Sequence, residues 1–261
     1  MRQRGEQMKY SLFFIFLIIF SFSSFSESID LRNVNVQENI ELPKVVDGDL
    51  NLSGIFSLNE FIFPHEVQGD LFLSGLFTVN FVFMPEKLMG SIFAETLESA
   101  YEMTLPEVMS GDISFDRLRI VNELRFPMIM RGAVYLPRLV TFDHLQMPLV
   151  VGGDLRLDSI ESAANIELPH TVRKALYLTS LKSLAGVTLP HTVDGDLHLE
   201  AVESIDGAVL PVTIGGDLYL TSLTLEQIDT SLLPENFKGL VFLKDGGHSL
   251  RRPQAEEASA Q

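Results

Sequence analysis

The sequence predicts a mainly β fold: a right-handed parallel β-solenoid of about ten 21-residue coils with little helix. Three observations carry that expectation. Pro43, Pro64, Pro85, Pro106, Pro127, Pro148, Pro169, Pro190 and Pro211 follow one another every 21 residues without an insertion, and Pro234 follows after 23. Five places after each proline stands a glycine, from Gly48 and Gly69 to Gly195 and Gly216, with Lys174 as the exception. Seven and nine places after it stand apolar residues, as in Leu155 and Leu157 or Leu218 and Leu220.

Each element of the coil has a physical reason. We number positions from the proline, which is 0. Proline suits a corner where no backbone donor is needed. Glycine at +5 implies a positive φ or a close approach between coils, so Lys174 is expected to be strained or to turn differently. Apolar residues at +7 and +9 describe a strand with one buried face. The corners at +12 and +15 are mostly apolar too, as at Ile160, Leu181 and Val202 and at Leu58, Leu184 and Ile205. Position +14 is usually Ser or Thr, among them Ser57, Thr78, Ser183 and Ser204, which predicts a hydroxyl ladder bonding the neighbouring coil's backbone. A serine nucleophile there lacks a histidine repeating in register. A 21-residue coil is too short for a full crossover helix, so extended or 3₁₀ connections are expected.

The ends differ from the coils. MRQRGEQMKY followed by SLFFIFLIIFSF and SSFSES has the basic, apolar and small-residue order of an export signal, which predicts residues 1–26 as a signal peptide. The alternative is an uncleaved N-terminal anchor. Residues 27–243 are expected to form a single solenoid domain. Residues 244–261, DGGHSLRRPQAEEASAQ after Lys244, are polar and lack core positions, so a disordered tail is expected.

Composition narrows the function. Cysteine is absent, which excludes disulfides, thiolate metal sites and lipid attachment at an export cysteine. The signal segment holds three basic residues and one acidic, leaving 16 Lys and Arg against 34 Asp and Glu. That excess argues against a nucleic-acid partner and against anionic membrane surfaces. No further long apolar stretch predicts membrane insertion after the signal is removed, and localisation is expected to be periplasmic or secreted.

The phrase L-P-x-x-V-x-G-D-L-x-L-x-x-L-x-S-L resembles bacterial leucine-rich repeats and the repeats of receptor L domains, over about residues 29–243. It departs from ordinary leucine-rich repeats at +12, where Ile, Leu or Val replaces the asparagine, so the L-domain-like form is the better fit. Both families imply binding scaffolds and neither implies an enzyme.

If +7 and +9 point inward, +6, +8 and +10 point out. Position +8 reads Asn51, Phe72, Phe93, Ser114, Tyr135, Arg156, Tyr177, His198 and Tyr219. We take Phe72, Phe93, Tyr135, Arg156, Tyr177, His198 and Tyr219 as the candidate binding ribbon. Self-stacking with cation–π contact is the structural alternative. The +6 column is rich in Asp, as at Asp49, Asp70, Asp154, Asp196 and Asp217. Calcium binding or acid catalysis is one use of such a column, but capping of each residue's own glycine turn is the favoured reading, because Ser or Ala interrupts it. His170 and His191 share +1 and should be neighbours, more in keeping with solvated surface than with a metal site.

The resulting expectation is an exported, non-catalytic module that binds a protein or a polysaccharide through the sheet face, without cofactor or metal. The alternatives are a structural surface or adhesive rod and, less favoured, a β-solenoid enzyme acting on polysaccharides. No catalytic motif is present, and the coils carry no inserted loops.

Overall fold

The computed structural model describes residues 27–32, 41–58, 61–163 and 166–253. The expected signal peptide lies outside the described residues, as do residues 254–261. The chain is mainly β, with stacked parallel strands forming a solenoid of 21-residue coils, and its only helical pieces among the described residues are 3₁₀ turns at Leu225–Gln227 and Thr230–Leu232.

Residues +7 and +8 pair in register with their equivalents 21 positions on, as Leu155 with Leu176 and Arg156 with Tyr177, until Leu218 and Tyr219 pair with Val241 and Phe242, 23 positions on. Ten such two-residue rungs, from Ile29–Asp30 to Leu218–Tyr219, together with Val241–Leu243 and Gly246–His248, make one 12-stranded sheet, here the long sheet. Positions +2 and +3 build a second wall from a four-stranded and a five-stranded piece, Val45–Val46 to Val108–Met109 and Ile129–Met130 to Thr213–Ile214. Among the described residues a third wall forms only in the middle, where Thr78–Phe83, Ser99–Thr104, Ile120–Arg125 and Thr141–Gln146 make a four-stranded sheet.

The core follows the predicted columns. Leu50, Leu71, Leu155, Leu176, Leu197 and Leu218 at +7 are wholly buried, as are Leu52, Leu73, Phe115 and Leu178 at +9 and Leu76, Leu97, Leu118 and Leu181 at +12. A fully buried side chain of this kind contributes roughly 1.5–3 kcal/mol by leaving water. With no disulfide, this stacked column of apolar layers is what holds the chain together.

Glycine at +5 is required by close approach, not by a positive φ. A Cβ on Gly90 would lie 2.4 Å from the Gly69 carbonyl oxygen, and one on Gly111 would lie 2.4 Å from the Gly90 carbonyl. Gly69, Gly111, Gly153 and Gly216 donate their N–H groups to the equivalent carbonyl one coil back at 2.9–3.1 Å, so the backbones touch there. Lys174 also lies outside the left-handed region, and its carbonyl accepts from Gly195 N–H at 3.1 Å. The expected strain at Lys174 is therefore not seen in φ.

The left-handed position is +17 instead. Phe81, Glu102, Glu123 and His144 have φ of 54°, 50°, 63° and 49°, and Gly186 and Gly207 occupy the same column at 73° and 70°. In the middle coils this residue kinks the six-residue strand, and the pairing skips it on every strand alike. In the later coils it closes a turn in which the +18 N–H bonds the +15 carbonyl, as Val187 to Leu184 and Ala208 to Ile205.

The expected +14 ladder does not form as predicted. Thr78, Thr141, Ser162, Ser183 and Ser204 are exposed, and Ser183 and Ser204 accept from the N–H two residues on in their own coil, Ala185 and Asp206. Hydroxyls bridging coils sit at +10 and +11: Thr96 Oγ1 donates to the Leu76 carbonyl at 2.8 Å, and Ser159 Oγ donates to the Pro137 carbonyl at 2.7 Å. The reason is geometric. The chain has already turned the corner at +14, so that hydroxyl faces water.

The C-terminus also differs from expectation. Residues 246–248, placed by the sequence in a disordered tail, fold back antiparallel on 241–243, with Phe242 opposite Gly247. Arg251 then donates to the carbonyls of Lys238 and Gly239 at 3.1 and 3.2 Å. Polar sequence can pair through its backbone without supplying a core residue.

Candidate functional site

The outward face of the long sheet is built by alternation. Because +7 and +9 are buried, +8 must point away from the core, and the unbroken register aligns all +8 side chains in one file. The structure places Phe72, Phe93, Tyr135, Arg156, Tyr177, His198 and Tyr219 in that file, each half-buried. Adjacent strands lie about 4.8 Å apart, which is close to the preferred separation of parallel rings.

Two stretches of rings result. Phe72 and Phe93 stack with centroids 5.2 Å apart and 15° between planes. After Ser114, which donates to Asp116 instead, the file resumes at Tyr135. The Arg156 guanidinium lies 4.4 Å from the Tyr177 centroid. Tyr177 stacks on His198 at 4.3 Å, His198 on Tyr219 at 4.2 Å, and Tyr219 on Phe242 at 4.7 Å, all within 12° of parallel. Each stacked pair adds about 0.5–1.5 kcal/mol beyond its buried area. Gly247 closes the end: a Cβ there would meet the Phe242 ring at 3.1 Å.

The +10 column supplies charge partners on the same face. Arg156 Nε donates to Asp158 Oδ2 at 3.0 Å, and His198 Nδ1 faces Glu200 Oε1 at 2.8 Å. Only 15% of the His198 side chain is exposed. Glu200 Oε2 is buried without a hydrogen-bond partner, alone among the described side chains. The hydroxyls of Tyr135, Tyr177 and Tyr219 are not buried in that way and bond no described residue, so they open to water.

Electrostatics follow from this crowding. Burial pushes the Tyr177 phenol up from its ordinary value, Asp154 adds to the rise, and Arg156 opposes it. Tyr135 is raised by burial and then by Asp154 and Asp112, and Tyr219 by burial and then by Asp196 and Asp217. The hydrogen bond to Asp158 raises Arg156 further. These phenols therefore stay protonated, as hydroxyl donors, across neutral pH.

The +6 carboxylates have a different task from the expected one. They cap the next coil, not their own turn. Asp49 Oδ1 accepts from Asp70 N–H at 2.8 Å, Asp70 Oδ1 from Ser91 N–H at 2.7 Å, and Asp196 Oδ1 from Asp217 N–H at 2.7 Å. Ser91 continues the series through its hydroxyl, which accepts from Asp112 N–H at 3.0 Å. One oxygen of each such carboxylate is thereby committed to a backbone bond. His170 and His191 stack at 5.0 Å on the outside, and among the described residues no three His, Asp or Glu side chains converge to hold a metal ion. A groove of about 370 Å³, lined by Val140, Thr141, Phe142, Glu161 and Ser162, opens where the third-wall sheet stops; its Glu161 is paired with Lys182 at 2.6 Å.

Sequence reasoning missed Phe142's groove and, more important, Phe242. Counting eight from Pro234 reaches Phe242, so the signal was present beyond the two-residue insertion that hid it. It also missed the exposure of the apolar side chains Phe56, Ile62, Phe77, Phe81 and Phe83. A scan against protein-family models, a search of curated proteins and a search of solved structures each returned no match.

Proposed function

We propose that the chain is an exported, non-catalytic binding module that docks a partner protein on the outward face of its long sheet. The observation that carries this reading is the ring file from Arg156 to Phe242, rigidly stacked and edged with water-facing tyrosine hydroxyls and paired charges. Aromatic rings held by their neighbours lose little entropy when a partner lands on them. A polysaccharide is the less favoured ligand, because sugar recognition by rings uses their open faces. Here the faces are covered by one another, by Arg156 and by Gly247, and the edges point outward. The resemblance to leucine-rich and L-domain repeats supports the same class of role.

A second reading, a spacer rod in which the stack serves only stability, is favoured by that same mutual coverage. Pull-down and glycan-array binding of the chain, beside a variant carrying Tyr135→Ala, Tyr177→Ala and Tyr219→Ala that retains the wild-type β circular dichroism, separates the two. A protein partner captured by the wild type and lost in the variant supports docking on the ribbon. Retention by both refutes it. Binding of a glycan, lost in the variant, replaces the protein by a polysaccharide.

A further inference from the structure

Of the six histidines, four face a carboxylate. His65 Nδ1 lies 3.3 Å from Glu86 Oε2, His144 Nδ1 3.1 Å from Asp143 Oδ1, His198 Nδ1 2.8 Å from Glu200 Oε1 and His248 Nε2 3.0 Å from Asp245 Oδ1. His170 and His191 face each other instead, with ring centroids 5.0 Å apart and 18° between planes. Both stand exposed at +1, in the phrase LPHTV that occurs at 168–172 and again at 189–193. The backbone beneath them is fixed one coil apart. Thr171 pairs with Thr192, and Thr192 N–H donates to the His170 carbonyl at 3.2 Å. The neighbours in the same column are the exposed apolar side chains of Leu149 and Val212, so no charged side chain in the adjoining coils of that column engages either ring.

We infer that His170 and His191 together hold one divalent late transition-metal ion, Cu²⁺ most tightly, with water completing its coordination. Two imidazole nitrogens on one such ion lie about 2.8–4.0 Å apart, from cis to trans, at metal–nitrogen distances near 2.0 Å. Exposed rings that start 5.0 Å apart reach that separation by tilting toward one another, with no movement of the paired backbone. The Thr171 hydroxyl oxygen lies 3.3 Å from His170 Nδ1. Donating Nδ1–H to it leaves the lone pair on Nε2, which is how a second group orients a ligating imidazole. A nitrogen donor set selects Cu²⁺, Ni²⁺ and Zn²⁺ in the order of their affinity for imidazole, whereas Ca²⁺ and Mg²⁺ require oxygen ligands. The chain's net charge of −16 draws cations toward it. Two protein ligands suffice for a tetragonal ion that keeps its remaining positions in water, so the site does not need three converging side chains.

The test uses the full chain and Cu²⁺ alone, at neutral pH in a weakly coordinating buffer with excess Mg²⁺. Calorimetry gives stoichiometry and affinity, and electron paramagnetic resonance of the one-to-one complex counts the nitrogens bound. The expected result is a tightest site of one Cu²⁺ per chain with hyperfine splitting from two imidazole nitrogens. His170→Ala and His191→Ala should each weaken that site by at least about tenfold and reduce the splitting to one nitrogen. His248→Ala should leave it unchanged. Both rings of the pair are exposed, so their removal should keep the β circular dichroism of the wild type. A tightest site that survives either single substitution at 170 or 191 overturns the inference. So does a stoichiometry of one Cu²⁺ per two chains, which would place the ion between molecules, and so does a loss of affinity in His248→Ala equal to that at 170 and 191.

Discussion

Replacing Asp196 by Ala removes one rung of the carboxylate ladder and leaves Asp217 N–H without its 2.7 Å acceptor. A hydrogen bond to a charged acceptor contributes about 1.5–3 kcal/mol. Asp196 is half-buried, so water can reach part of the vacated site and the expected loss falls to about 1–2 kcal/mol. Asp196→Asn keeps an acceptor oxygen without the charge and should lose about half as much. Asp196→Ser has a natural counterpart in Ser91, which caps Asp112 at 3.0 Å, and should fall between the two. The assay is urea unfolding followed by far-ultraviolet circular dichroism, with the four proteins compared by midpoint at constant slope. The order Asp, Asn, Ser, Ala is the prediction. Equal midpoints for Asp196 and Ala would refute the idea that the column is an inter-coil cap, and an Asn variant as weak as the Ala variant would refute the role of charge.

Four further outcomes follow from the geometry. Gly111→Ala places a Cβ 2.4 Å from the Gly90 backbone and should unfold or severely weaken the chain, whereas Gly186→Ala, with open space but φ of 73°, should cost only about 1–2 kcal/mol; thermal melts compare them. Glu102→Gly relieves a left-handed residue and should raise stability by up to about 1 kcal/mol in the same melts. Because Tyr177 is raised in the fold, the folded chain holds protons more tightly than the unfolded one, so its contribution is complete below about pH 10 and declines as pH rises past that point. Removing the opposing guanidinium with Arg156→Gln should move the Tyr177 ionisation seen at 295 nm to still higher pH, and a downward move would contradict the assignment. A chain ending at Lys244 loses the antiparallel strand and Arg251, and should aggregate at concentrations where the longer chain stays monomeric by light scattering.

What could be read from the sequence was what repeats through side-chain type. Apolar residues at +7, +9 and +12 leave water in every coil, so their period reports the core directly. The ribbon at +8 follows by alternation once the core is known. Polar columns were less legible, because Asp at +6 has several possible partners within reach and only the stacking distance between coils decides for the next coil's amide. The left-handed column was hidden for another reason. Phe81, Glu102, Glu123 and His144 adopt a conformation usually marked by glycine, held there by the strand pairing around them, and only Gly186 and Gly207 show it openly. The hairpin at 246–248 was missed because backbone pairing against an existing edge needs no apolar pattern.

The same hairpin gives the array a direction in its history. Parallel coils offer each new neighbour an identical template, yet Gly247 over Phe242 and the antiparallel strand leave no such template at the C-terminal end. A further coil placed after the last one would meet that antiparallel strand in place of a parallel template. Between two existing coils, by contrast, the incoming surface and the outgoing surface match. The phrase LYLTSL at 176–181 and again at 218–223 lies two coils apart, which is the trace such an internal copy of 42 residues leaves.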